Sequence, residues 1–328
     1  MPRPRVYSIP LIHNDNNEYM RLKRGIETAS SNGGCVVAYE FPNLPQTREF
    51  FSKILGSSSK DLGAKIEAML RIANVYSDNF EYVEANLIEI DHAKHKGQVK
   101  EAYPIDIKHV IDRKDARDVE FKRLSLDMDD IIKKISHSVL ESDSFGMLLG
   151  LIRDEASVFS KMLDIRNVEM ASNVNGIISN EKGQNVVLMT GALHVPGIIR
   201  LLKDGGIDVT QLYTPEEVAG VFWLKYGALR EARIIDGLDK CKNLYRYSLL
   251  MAAIVIESQK GISSPSDSEI KEIMRVDSAE EAAAYYKKLQ DFYRTEFEKR
   301  LPILDMLKDV PIIEPSKGVP ILGQKPEK

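Results

Sequence analysis

Apolar positions along the chain fall into two kinds of run. Short, nearly unbroken ones stand at Val6 to Ile12, Cys35 to Tyr39 and Val186 to Met189, each closed by turn-forming residues. Runs of that length and density predict strands buried on both faces of a parallel sheet. Elsewhere the apolar residues recur at three and four positions, as in Met128 to Leu140, Phe145 to Leu163 and the stripe Tyr286, Leu289, Tyr293, Phe297, Leu301. Such spacing predicts helices with one buried face. Leu62 to Tyr76 and Phe80 to Ile90 read as helical too, while Ala102 to Ile107 and His109 to Asp112 read as short strands.

Two stretches share one plan. After the first run, His13-Asn14-Asp15-Asn16-Asn17 supplies turn and N-cap chemistry, a helix carries Met20, Ile26 and Ala29, Gly33-Gly34 ends it, and the next strand finishes at Glu40. From Asn185 to Tyr213 the order returns: strand, the turn Gly191-Ala192-Leu193-His194, a helix opened by Pro196, Gly205-Gly206, and the strand Ile207-Asp208-Val209. The expected fold is therefore α/β, with a mostly parallel central sheet, pseudo-duplicated strand, His turn, helix, strand units and a C-terminal helical annex. Capping boxes at Thr214-Pro215-Glu216-Glu217 and Ser278-Ala279-Glu280-Glu281 open helices of that annex. The expected organisation is a core over 1–213 with a helical insertion over about 60–165, an annex over 214–310 containing a loop at Gly261 to Ser268, and a flexible tail over 311–328.

Composition narrows the partners. With 328 residues, 43% of them hydrophobic and 29% charged, the chain suits a globular protein with a large core. A net charge of -4 provides no basic field for nucleic acid. Cys35 and Cys241 form neither a C-x-x-C motif nor a disulfide framework, which suits a reducing, cytoplasmic compartment. Val6 to Ile12 is too short for a signal-peptide core, and Leu249 to Ile256 falls far short of the ~20 residues of a membrane helix, so no membrane span is expected.

In parallel α/β sheets, ligands bind beyond the carboxyl ends of the strands, where helix N-termini point their free N–H groups. His13, Glu40 and His194 all fall at such ends. Two imidazoles and a carboxylate can hold a divalent ion or share general acid and base work near neutral pH. A single His near a turn is more often a local hydrogen-bonding residue than a ligand; their matched placement in two similar units favours a site. Arg166, between apolar positions of a helix, can enter that site and grip an anionic group with its planar fork, or form a surface ion pair with Glu169 or Asp164. Asp112-Arg113 follows a short apolar run and can reach the strand ends, or serve as a structural pair. His92 and His95 lie in a polar run that reads as a solvated helix end.

Arg166-Asn167-Val168-Glu169-Met170-Ala171, an apolar strand, and then Gly191-Ala192-Leu193-His194-Val195-Pro196-Gly197-Ile198 together resemble the paired signature of the TraB/PrgY/GumN family, which is grouped with the Tiki metalloproteases and the erythromycin esterase and ChaN-like proteins. The resemblance covers Val6 to about Tyr213. That family carries two Gly-x-x-His motifs, a Glu at the end of the second strand and an Arg before the final strand. The resemblance thus implies roles for His13, Glu40, Arg166, Gly191 and His194, and Asp112-Arg113 resembles the family's Asp-Arg segment between the halves. One departure stands out: the residue three before His13 is Pro10, whose φ is fixed, where the motif has Gly.

The resemblance implies a Tiki-like hydrolase of a peptide or related amide or ester. His13, Glu40 and His194 would bind Mn, Co or Zn or activate water, and Arg166 would stabilise the oxyanion. It also implies an alternative, a non-catalytic protein that binds or sequesters a peptide or haem-like ligand in the same cleft. A third expectation is a partner-binding annex, including homo-oligomer formation through its helices.

Overall fold

The computed structural model describes residues 4–11, 18–31, 33–57, 61–72, 80–106, 116–142, 144–214, 220–232, 241–259 and 265–307. Among them, five parallel strands form one sheet: β1 (Arg5–Leu11), β2 (Cys35–Pro42), β3 (Val99–Asp106), β4 (Asn185–Gly191) and β5 (Asp208–Gln211), in the spatial order β3-β2-β4-β1-β5. The α/β expectation with a parallel sheet and C-terminal helices holds.

Odd and even positions of the central strands face opposite ways, and both faces are covered. Ile9, Val37, Tyr39, Val187 and Met189 pack under helices α1 (Glu18–Ala29), α3 (Leu62–Ile72) and α4 (Phe80–His95). Val6, Val36, Ala38, Val186 and Leu188 pack under the C-terminal half of α6 (Phe145–Asn180) and under α7 (Val195–Asp204). Between β2 and α3 lies a short helix, α2 (Pro45–Glu49), that runs on into a π-helical turn. Burial on both sides explains why the strand sequences are unbroken apolar runs.

The two similar units interleave. β1 pairs with β4 and β5, whereas β2 pairs with β3 and β4, so each unit's second strand lies beyond the other unit's first. Their helices, α1 and α7, lie on opposite faces, the arrangement that a pseudo-twofold along the strand direction requires.

A second layer is helical. α5 (Ala116–Glu141) and the first half of α6 share a core with α8 (Gly220–Ala232), α9 (Lys242–Gln259), α10 (Asp267–Ile273) and α11 (Ala279–Leu307), around Val139, Leu148, Ile152, Leu244, Leu249 and Tyr286. The segment expected as one insertion is thus divided: α3, α4 and β3 belong with the sheet, and α5 with the C-terminal helices. At the expected Ser278 box the cap half forms, Ser278 Oγ accepting from the Glu281 amide at 3.2 Å, while the Glu281 carboxylate accepts from the Asp277 amide at 2.8 Å. Thr214-Pro215 and the tail over 311–328 fall wholly or partly outside the described residues. No helix among the described residues is long and apolar enough to cross a membrane.

At 36 residues, or about 54 Å at 1.5 Å per residue, α6 spans both layers. It also clamps the edge strand β3. Asn173 donates to the Ile105 carbonyl at 2.8 Å, and the Tyr103 hydroxyl donates to Glu181 at 2.5 Å. Arg166 and Asn167 sit where the helix passes from one layer to the other.

Candidate functional site

β2, β3 and β4 end side by side, and each end contributes to one polar cluster. β2 presents Glu40, β3 presents Asp106, and β4 runs into the Gly191–His194 turn. Arg166 joins them from α6. Its Nε donates to Asp106 Oδ1 at 3.1 Å and its Nη2 to Asp106 Oδ2 at 2.8 Å, a bidentate pair, while Nη2 also reaches Glu40 Oε1 at 2.7 Å. The surface pairing with Glu169 or Asp164 considered from sequence is not what Arg166 adopts. Burial works against its charge, but Asp106 and then Glu40 outweigh it and hold the guanidinium more firmly protonated than usual.

Glu40 is fixed from two sides. Oε1 meets Arg166, and Oε2 accepts the backbone N–H of Gly191. A Cβ at position 191 would lie 3.2 Å from Glu40 Oε2 and 3.6 Å from the His194 ring, so glycine allows the carboxylate to reach the backbone. The turn is tied to the next strand as well: the Ala192 amide donates to the Leu11 carbonyl, 2.9 Å away, at the end of β1.

His194 occupies the N-cap of α7 and is 4% exposed. Its Nδ1 lies 2.7 Å from Asn167 Oδ1 and its Nε2 3.6 Å from Glu40 Oε1. With the Asn167 carbonyl as acceptor, Nδ1 carries the proton and Nε2 keeps a lone pair. Burial lowers the His194 pKa from its ordinary 6.5, partly opposed by Glu40, which keeps the ring neutral at physiological pH. Asn167 is itself held in place by Gly197, where a Cβ would overlap its amide. The stretches Arg166-Asn167 and Gly191…His194…Gly197 are therefore one set of contacts rather than two separate motifs.

Of the residues singled out from sequence, Glu40, Arg166, Gly191 and His194 converge. His13 lies outside the described residues, two positions after the end of β1, as do Asp112 and Arg113. Sequence reasoning passed over Asp106 and Asn167. Asp106 carries the same signal as Glu40, an acidic residue at the carboxyl end of a strand, and Asn167 follows Arg166 directly.

Among the described residues no three His, Cys, Asp or Glu side chains form a metal-binding group. Glu40 has both oxygens committed, one of them to a cation, and His194 adds a single nitrogen. These donors do not fit a divalent ion by themselves, and His13, the third expected ligand, lies outside the described residues. Comparisons with family models, with curated proteins and with solved structures gave no match.

Proposed function

We propose that the protein is a hydrolase of an amide or ester bond in a peptide or related substrate, with its chemistry at the carboxyl ends of β2, β3 and β4. The resemblance to the TraB/PrgY/GumN group implies the same class. The observation that carries this reading is the Asn167–His194–Glu40–Arg166 relay: a neutral imidazole with Nε2 unprotonated, beside a carboxylate whose position is fixed by a cation and a backbone amide. His194 Nε2 takes a proton from water as the hydroxyl adds to the substrate carbonyl carbon, then returns it to the leaving nitrogen or oxygen. Glu40 stabilises the imidazolium formed in between. Arg166 has Nε and Nη2 engaged by carboxylates while Nη1 has no hydrogen-bond partner among the described residues, so that edge is available to the developing oxyanion.

The test is hydrolysis of p-nitrophenyl acetate and of a dipeptide p-nitroanilide by wild type, His194→Gln and Arg166→Lys, each with and without EDTA. The expected result is chelator-resistant turnover, abolished in His194→Gln. Arg166→Lys should lose on the order of a hundredfold in kcat with little change in KM, because the charge stays and the planar fork goes. Turnover abolished by EDTA and restored by manganese, cobalt or zinc would replace this route with the metal one through His13. Saturable binding of a peptide or haem with no turnover would replace catalysis with sequestration.

A further inference from the structure

Beside the site, but separate from its reacting groups, α6, α7 and α8 line an open cavity of about 330 Å³, within the lower range of small-molecule sites. Its walls are mixed in chemistry. Leu163, Leu193 and Leu229 form one apolar cluster in the lining, and Arg200 and Arg230 line the cavity as well. Arg200 forms no ion pair among the described residues, and the Arg230 guanidinium carbon is 6.0 Å from the centre of the Tyr226 ring, which also lines the cavity. Asp164 contributes one carboxylate to the wall and already has an interaction of its own. Pro196 and Gly197, in the first turn of α7, bring the positive end of that ten-residue helix to the cavity.

An independent observation concerns Ser160. It lines the same cavity, is 6% exposed, and its Oγ has no hydrogen-bond partner. A buried hydroxyl left unsatisfied is costly and uncommon in a folded protein. Turning the Ser160 side chain toward the cavity would let a ligand oxygen satisfy it.

We propose that this cavity is a binding site for a small organic anion, a phosphate monoester or carboxylate on a compact apolar body. Arg200, Arg230 and the α7 N-terminus take the anionic group, Ser160 donates to one of its oxygens, and the three leucines cover the apolar part. The site stands apart from hydrolysis at His194, yet Asn167 belongs to both: it lines the cavity and its Oδ1 fixes the His194 ring. An occupant that moves Asn167 therefore changes the tautomer preference of His194.

Isothermal titration of the full chain with phenyl phosphate, inorganic phosphate and benzyl alcohol tests this. Phenyl phosphate should bind one to one and more tightly than either of the other two. Arg200→Gln and Arg230→Gln, both at exposed positions, should each weaken it about tenfold. Ser160→Ala should weaken it as well while leaving the melting temperature of the free protein equal or higher, since the substitution removes an unsatisfied hydroxyl. Equal binding of benzyl alcohol, no binding at millimolar phenyl phosphate, or indifference to all three substitutions would overturn the proposal. None of these readouts depends on hydrolytic activity.

Discussion

Helix α6 carries two charges that face inward about three turns apart, half-buried Arg166 and buried Glu155, and they are treated very differently. Arg166 meets two carboxylates in three hydrogen bonds of 2.7 to 3.1 Å, and one of those carboxylates, Glu40, is held again by the Gly191 amide. Glu155, 4% exposed in the helical layer, has one lysine, Lys225, 3.5 Å away, with the ammonium lying 4.0 Å from the centre of the Phe159 ring. Tyr247 donates its hydroxyl to Glu155, and its pKa is raised by burial and by Glu155 itself, so the phenol keeps its proton. Glu155 Oε2 is left without a partner. Packing alone tolerates a loose contact of the second kind. Geometry over-determined as at Arg166 is expected where atoms must be held to a fraction of an ångström.

The difference can be broken most severely at Arg166. Arg166→Met removes the guanidinium that pairs with both Glu40 and Asp106 and leaves these two largely buried carboxylates without that cation, a loss of about 3–5 kcal/mol. Urea unfolding at neutral pH measures it, and adding Asp106→Asn should recover part of the loss. A cost below about 1 kcal/mol would place Arg166 with ordinary surface pairs.

Next in size is Gly197→Ala, which pushes the Asn167 amide off its position. Overpacking of this kind costs about 1–3 kcal/mol. The more telling readout is nitrogen NMR of the His194 ring, where the Nδ1-protonated tautomer should give way to a mixture. An unchanged tautomer would show that Asn167 does not set it.

By contrast, Glu155→Gln keeps the shape and the acceptor for Tyr247 and removes one charge, for an expected change of about 1 kcal/mol. A loss matching that of Arg166→Met would erase the distinction between the two clusters.

The smallest effect is in the pH profile. Because the folded-state pKa of His194 lies below 6.5, the unfolded chain binds its proton first. The contribution of this group is fully present above pH 6.5 and is lost as pH falls through the folded value. His194→Gln should flatten the stability curve on that acid side only; an unchanged slope would contradict a neutral, buried ring.

What was legible in the sequence follows from how local each signal is. Glu40 and His194 stood out because strand ends and turns are written in consecutive residues. Asp106 did not, since β3 mixes Lys100, Glu101 and Pro104 into its apolar positions and reads weakly as a strand, as suits an edge. Asp164, Arg166 and Asn167 weaken the apolar spacing, so the helix read over Phe145 to Leu163 and the helical stretch around Arg166 were not joined, whereas α6 runs unbroken to Asn180. Asn167 on a helix looks like a solvated residue until His194 is placed beside it. The interleaving of the two units depends on strand pairing, which no local pattern encodes.

That interleaving has a consequence for synthesis. Val6 pairs with Val186 and Val209, and Val36 with Val186 and Glu101, so β1 and β2 never pair with each other and are joined only through β4 between them. On the ribosome, an apolar β1 and its helix must wait while about 180 further residues are made. The nascent chain therefore exposes an unpaired strand throughout most of its translation, a natural client for a holding chaperone. A polypeptide stopped before Asn185 lacks the strand that joins its two sheet fragments, and a late truncation should yield aggregate rather than a smaller folded domain.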